Sequence, residues 1–581
     1  MDHKILGSGL GGNERNSLDE LLDTLPAEDA GAIRGWLSPE VGGPQGLLGV
    51  LSKVQDDVRR PDPEDSDKVQ RIGVIGGGTA GYLTALALKA QRPWLDVTLV
   101  ESKSIPIIGV GEATVSWFVM FLHHFLGLDP DELYAKVQPT WKLGIRFDWG
   151  PDPDGFMGPF DWSGDAVGIR GSIAETGNIN AATLGSLLMG ADKAAVYDTP
   201  DGPRSLMKYL PFAYHLDNAL FVRYLTEAAQ ARGVEHVEAQ IADVALSDAD
   251  WVDHLTTADG RRLEFDLYVD CTGFRSTLLE KSVGSKFVSY ADTLFTDSAV
   301  TGNVSHGGHI MPYTRATTMN SGWCWGIPTR DENHHGYVYS SAFISDDRAA
   351  EELAKRHPGI SEPKIVRFRS GRHEQMWRGN VCAIGNSYAF VEPLESTGLL
   401  MISIEALTLV SSLPASWREP NVREVVNAGI AQHWDAIRWL LGIHYRYNTR
   451  LETPFWKECV SATDVSGFAP LLDVYANGAP LTRRNPVLQD LLNRLAPSYF
   501  GLFGIEYLLL GQQVPTRLLP LAEPIEDWRR RKQSADLLVA HSLPTRQALE
   551  AFDRYPELNR QLLQDEDSWA GPAIAARLGF C

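Results

Sequence analysis

The pattern of apolar and polar positions changes character at Arg71. Upstream, Asn16–Leu25 and Gly31–Leu37 space their apolar residues as short amphipathic helices, and Arg59–Lys68 (RRPDPEDSDK) is a charged, proline-containing linker. Downstream, the β-branched run RIGVI opens a strand, an apolar helical pattern reaches Ala90, and a second strand follows in Asp96–Ser102 (DVTLVES). Together these predict a βαβ unit. Further strand-like runs, Glu264–Gly273 (EFDLYVDCTG) and Asn380–Asn386 (NVCAIGN), lie far apart in the chain, so long insertions are predicted to interrupt a parallel sheet. From Leu399 the pattern is mostly helical, with breaks at Pro414, Pro420, Pro480 and Pro486. Three parts are expected: an acidic extension and linker over residues 1–70, an α/β core with inserted segments over 71–460, and a mostly helical region over 461–581.

Composition narrows the classes. A chain of 581 residues with 44% hydrophobic residues has the material for a large folded core. Its net charge of −21 makes nucleic acid a poor partner. Residues 1–70 hold 14 acidic and 7 basic side chains, a third of that charge, and a loose tail and a docking or homodimer contact are both readings of them. The cysteines Cys271, Cys324, Cys382, Cys459 and Cys581 form no C-x-x-C pair, which excludes a disulfide framework and fits a reducing compartment. With no secretory leader pattern and no long uninterrupted apolar run, a cytoplasmic protein with no membrane partner is expected.

G-x-G-x-x-G occurs twice. Gly7–Gly12 has neither a full strand before it nor an apolar helix after it, and reads as a flexible terminus. Gly76-Gly77-Gly78-Thr79-Ala80-Gly81 follows a strand and opens the helix YLTALALKA, with Glu101 ending the next strand. Gly76 permits the tight turn, Gly78 admits a pyrophosphate to the backbone, Gly81 lets helix and strand approach, and Glu101 suits a ribose. The helix N-terminus would face the phosphate charge. This predicts a bound dinucleotide without saying which. Since no second copy has this context, no separate NAD(P)H domain is expected. The pairs His123-His124 and His334-His335 invite a metal reading, but neighbours in sequence seldom point at one ion, and Asp331–Gly336 (DENHHG) reads as a polar turn. No metal is expected.

Seven segments, in this order, make the chain resemble the flavin-dependent halogenases of the tryptophan-halogenase branch: GGGTAGYLTA from Gly76, IGVGEAT (Ile108–Thr114), WKLGIRFDW (Trp141–Trp149), DCTGFRS (Asp270–Ser276), GWCWGIP (Gly322–Pro328), FVEPLESTG (Phe390–Gly398) and ETPFW (Glu452–Trp456). The resemblance implies an FAD-binding, Rossmann-like domain of glutathione-reductase type, interrupted by substrate-domain segments. It also implies a two-component enzyme, in which a separate flavin reductase supplies reduced FAD. Oxygen and chloride or bromide then yield hypohalous acid, which travels through a tunnel to an aromatic substrate. Trp323, Trp325 and Pro328 would line the tunnel. Lys142 would receive the oxidant, Glu395 would work with it by stabilising the cationic ring intermediate and accepting its proton, and Ser396 would couple the two sites. Thr397 and Gly398 match residues that hold the halide through backbone amides, while Ala113, Ile241, Asn386 and Leu399 match flavin contacts.

The chain departs from the tryptophan-specific pattern at Gly158 in FMGPF, where those members carry a histidine, and again around Ala496–Gly511. An open pocket lined by Phe160, Tyr499, Phe500 and Phe503 is therefore expected, suited to a large or less polar indole, phenol or pyrrole. A flavin-dependent aromatic monooxygenase that hydroxylates its substrate is the competing reading. Lys142, Glu395 and the tryptophan pair, which hydroxylation does not need, favour halogenation.

Overall fold

Strand Arg71–Ile75 lies inside a six-stranded sheet, and its last four residues are buried. The computed structural model describes residues 69–104, 111–161, 168–248, 250–361, 363–413, 420–478, 481, 488, 501–517 and 523–577, of which those up to Ala575 belong to one compact unit, Asp67–Ala575. The two expected N-terminal helices, the Arg59–Lys68 linker and Gly7–Gly12 lie outside the described residues.

The sheet runs Glu235–Glu238, Asp96–Glu101, Arg71–Ile75, Leu267–Asp270, Val381–Ala383, Trp377–Arg378, parallel except at the last pair. Helix Thr79–Gln91 is the crossover between Arg71–Ile75 and Asp96–Glu101, and Tyr82, Leu83, Ala85, Leu86, Ala87 and Leu88 are all buried. The strands contributed by the two distant runs, Leu267–Asp270 and Val381–Ala383, pair side by side, and of the described segment between them Trp377–Arg378 alone joins this sheet. The whole is a mixed α/β protein.

The segment between Leu267–Asp270 and Val381–Ala383 supplies five strands, and an earlier insertion two, of a seven-stranded sheet in the order Lys364–Arg367, Ser298–Ser305, Glu332–Tyr339, Gly322–Pro328, Thr314–Met319, Gly144–Asp148, Phe156–Pro159. Its pairs are antiparallel except Thr314–Met319 with Gly144–Asp148. Here one expectation is corrected. DENHHG is not a polar turn, because Glu332–Tyr339 is an interior strand whose His334 and His335 are buried between neighbours on both sides. Strand partners on each edge overrode the local polarity.

A small antiparallel sheet joins Glu112–Ala113, Ala213–Leu216 and Thr140–Lys142. The chain leaves it at Lys142 and enters the large sheet at Gly144, where a Cβ would stand 2.1 Å from the Gly158 carbonyl oxygen. Only glycine fits that crossing, which explains the glycine of WKLGIRF. C-terminal to Leu399 the described elements are helices apart from the two-residue strand Leu543–Pro544, and the long helix Pro420–Tyr447 packs against Pro454–Ala462 and Gly501–Gly511.

Candidate active site

The glycine turn is shaped to admit a ligand. Gly76 has φ of 125°, and a Cβ there would sit 2.2 Å from the Cys271 carbonyl oxygen; at Gly81 it would sit 1.9 Å from the Gly76 oxygen. At Gly78 a Cβ would meet nothing within 4 Å. The first two glycines are thus required by close backbone packing, and the third faces open space. The following helix starts at Thr79 and Ala80 with no side-chain cap, leaving its first amides for an incoming anion. Glu101 accepts from the Tyr82 hydroxyl (3.1 Å) and pairs with His236 Nε2 (2.7 Å), so it is fixed at the end of its strand. Asn386 is exposed on a turn whose Gly385 amide donates to buried Glu405 (2.7 Å). Burial pushes Glu405 up to about 8, against the hydrogen bonds from Gly385 and Trp434. Ala113 and Ile241 are partly exposed and Leu399 is buried.

Lys142 is fully buried at the end of its strand. Nζ donates to the Thr114 carbonyl (2.9 Å) and the Ser396 hydroxyl (2.7 Å), and lies 5.4 Å from the centre of the Phe160 ring. Burial lowers its pKa to about 7, opposed by the charge of Glu395. An amine so placed exchanges its proton near neutrality. Ser396 is held at φ of 57°, in the left-handed region that a serine adopts only under constraint. This conformation ends the turn Pro393–Glu395 and aims the hydroxyl at Lys142. Glu395 is buried and accepts from His444 Nε2 (2.6 Å). Phe147 and Trp149 flank the His444 ring at 4.9 and 5.5 Å, and its Nδ1 is buried without a partner. Thr397 is buried, whereas Gly398, the first residue of helix Gly398–Ser412, is exposed with nothing within 4 Å of a notional Cβ. That helix also starts without a side-chain cap, so its amides face outward, as an anion requires.

Trp323 and Trp325 share one face of strand Gly322–Pro328, with ring centres 6.1 Å apart and planes tilted by 57°. Trp323 Nε1 donates to Glu392 (3.1 Å), which also accepts from the Thr296 and Tyr445 hydroxyls. Burial lifts Glu392 to about 7 against those three donors. The tryptophan is thereby tied to the segment that carries Glu395. Pro328, at the end of the strand, accepts from the Thr140 hydroxyl (2.6 Å) two residues from Lys142. Sequence reasoning missed Glu392, Tyr445, His444 and Glu405. Only Glu392, inside FVEPLESTG, had a nearby motif to mark it.

Of the four residues expected to line a substrate pocket, Phe160 borders Lys142, while Tyr499, Phe500 and the side chain of Phe503 lie outside the described residues. Gly158 does not open a void. The Tyr507 hydroxyl stands 2.9 Å from where its Cβ would be, and the Tyr507 ring packs edge-on against Phe156 at 5.4 Å. Helix Gly501–Gly511 thus closes over Gly158. Gly158→His is expected to lower the melting temperature by several degrees, and a second change, Tyr507→Ala, to recover part of the loss; thermal denaturation of both variants measures this.

Neither histidine pair acts as a unit. His123 contacts the Leu128 carbonyl and His124 the Ala570 carbonyl, while His334 lies against Gly111 and His335 packs on His357.

The chain belongs to the tryptophan halogenase family, whose description matches residues 71–523. Among solved structures it is similar to MibH, a lanthipeptide tryptophan 5-halogenase, at 60% identity and a TM-score of 0.86, covering 89% of this chain and all of that one. It is similar to Tar14, a tryptophan C-6 flavin-dependent halogenase (chlorinase) from taromycin biosynthesis, at 30% identity and a TM-score of 0.75, covering 83% of this chain and 100% of that one. The 7-chloro-L-tryptophan 6-halogenase KtzR of Kutzneria sp. (strain 744) is 35% identical over 75% of this chain and 89% of its own. No helix among the described residues is long and apolar enough to cross a membrane.

Proposed function

We propose that this protein halogenates the indole of a tryptophan residue within a lanthipeptide, using FAD reduced by a separate flavin reductase. The peptide substrate rests on one observation, the 60% identity to MibH along its whole length. The relatives named for free tryptophans stand near one third identity, and Gly158 is closed here by Tyr507.

The FAD would lie in the Rossmann-like sheet, along Gly76, Gly78, Thr79, Ala80 and Gly81, with Glu101 at its ribose and Ala113, Ile241, Asn386 and Leu399 around it. The open space at Gly78 and the uncapped helix fit that group. When bound and reduced, it supplies with oxygen the two-electron oxidation of chloride or bromide to hypohalous acid. The amides of Thr397 and Gly398 hold the halide. Trp323 and Trp325 fill the space between that region and the substrate, exclude water, and leave a passage for a small oxidant only. Lys142 hydrogen-bonds the arriving hypohalous acid and polarises it toward the ring. Because burial holds the lysine near neutrality, it also supplies an amine, and its bond to Ser396 fixes where Nζ points. Glu395, oriented by His444, stabilises the cationic ring and takes its proton.

Supplying purified protein with reductase, NADH, FAD, oxygen and bromide tests this against a tryptophan-containing lanthipeptide and free tryptophan. Bromination of the peptide in clear preference to the amino acid is expected. Equal or better turnover of free tryptophan would overturn the peptide assignment while leaving the halogenase reading in place.

A further inference from the structure

Glu392 is fully buried, no cation is among the groups that act on it, and its side chain does not cap the turn Pro393–Glu395 that it opens. Instead it collects donors from three elements. Trp323 Nε1 (3.1 Å) comes from strand Gly322–Pro328, the Thr296 hydroxyl from the residues before Ser298–Ser305, and the Tyr445 hydroxyl from helix Pro420–Tyr447. A carboxyl group at this depth is costly unless its oxygens are filled, and a filled one fixes its neighbours in place.

The two indoles are held in different ways. Trp325 Nε1 is buried without a hydrogen-bond partner, and its ring is wedged on the next strand, where a Cβ at Gly336 would stand 2.0 Å from it. Trp323 is instead anchored through its N–H. On helix Pro420–Tyr447, Tyr445 follows His444, so adjacent residues grip the carboxyl groups at the two ends of one turn, Tyr445 on Glu392 and His444 on Glu395 (2.6 Å). The Tyr445 ring stacks on Trp456 with centres 5.6 Å and planes 20° apart, which fixes where its hydroxyl points.

From these contacts we infer that Glu392 and Tyr445 are positioning residues for halogen transfer: they lock the Trp323 indole to the turn that carries Glu395, Ser396 and Thr397, so that hypohalous acid passes to Lys142 and not into solvent. The inference rests on the halogenase reading above. An indole freed from its N–H anchor can turn about its side-chain bonds, and a passage shaped for one small oxidant then opens to water.

Competition for the oxidant tests this. The full chain, with reductase, NADH, FAD, oxygen and bromide, is given whichever of the lanthipeptide and free tryptophan the wild type prefers, together with a β-diketone that dissolved hypobromous acid brominates. Mass analysis counts both products. Glu392→Leu should lower the ratio of brominated substrate to brominated diketone by about tenfold or more, and Tyr445→Phe, which keeps its ring on Trp456, by a smaller factor. Glu392→Gln can accept from Trp323 Nε1 through its carbonyl oxygen while its amide donates to a hydroxyl that has rotated, and should recover most of the ratio. Trp323→Phe should also lower the ratio, and adding Glu392→Leu to it should have little further effect. General loss of structure lowers both products together and leaves the ratio where it was. Circular dichroism identifies a Glu392→Leu chain that has failed to fold, and Tyr445→Phe then carries the test. Wild-type ratios in the folded variants would overturn the inference and leave the halogenase reading in place, whereas a wild-type chain that brominates the diketone alone, or nothing, would overturn it together with the proposed function.

Discussion

Lys142→Met is expected to abolish bromination, by about a thousandfold or more, and at the same time to make the protein more stable below neutral pH. The two effects share one cause. Nζ is fully buried, and its pKa is lowered to about 7 from the ordinary lysine range because burial penalises the ammonium. Below pH 7 the folded protein pays to bury that charge. Between pH 7 and the ordinary lysine value the unfolded chain holds the proton and the folded one does not, so stability gained from this residue rises with pH. Methionine, of similar length and uncharged, never incurs the penalty. The melting temperature of Lys142→Met should therefore exceed that of the wild type most at pH 6 and least at pH 9. Meanwhile NADH and oxygen consumption should continue in the presence of reductase and halide, since the change lies on the Lys142 side of the tryptophan pair. A variant that keeps its bromination rate would remove Lys142 from the mechanism. A stability gain that grows with pH would show that the wild-type amine is not held near neutrality.

The second large effect belongs to Glu395 and the histidine behind it. Glu395→Gln retains the shape and one acceptor oxygen but loses the negative charge, and should cut the bromination rate by about a hundredfold or more with little change in peptide affinity. His444→Phe tests positioning. Phe147 and Trp149 can pack against a phenyl ring, but Glu395 then loses its 2.6 Å donor while still buried. The rate should fall by about tenfold to a hundredfold, because the buried carboxylate loses the donor that orients it. His444→Gln, which can still donate, should recover part of the rate. Single-turnover rates, with circular dichroism of each variant, separate these outcomes from general loss of structure.

Much of this site was readable in the sequence, for reasons that are local. The glycine turn announces itself because Gly76, with its positive φ, and Gly81, pressed against the Gly76 carbonyl, stand in one short motif between a strand and a helix, and Lys142, Trp323, Trp325 and Glu395 sit in short segments with recognisable composition. What escaped was set by tertiary contact. His444 lies 49 residues from Glu395 on an apolar helix face, where a histidine looks like any core residue. Tyr507 reaches Gly158 across most of the chain, so an apparent opening in FMGPF is closed by a residue no local pattern connects to it. DENHHG is polar enough for a turn, yet strands on both sides hold it extended.

The central claim is that the buried Lys142 and Glu395 serve halogen transfer rather than hydroxylation. Mass analysis of the peptide product, formed with reductase, NADH, FAD and oxygen in parallel reactions with and without bromide, tests it most directly. The account predicts a product bearing the paired isotope pattern of one bromine, seen only when bromide is present and absent from Lys142→Met. A product that gains a single oxygen and forms equally well without halide would contradict it.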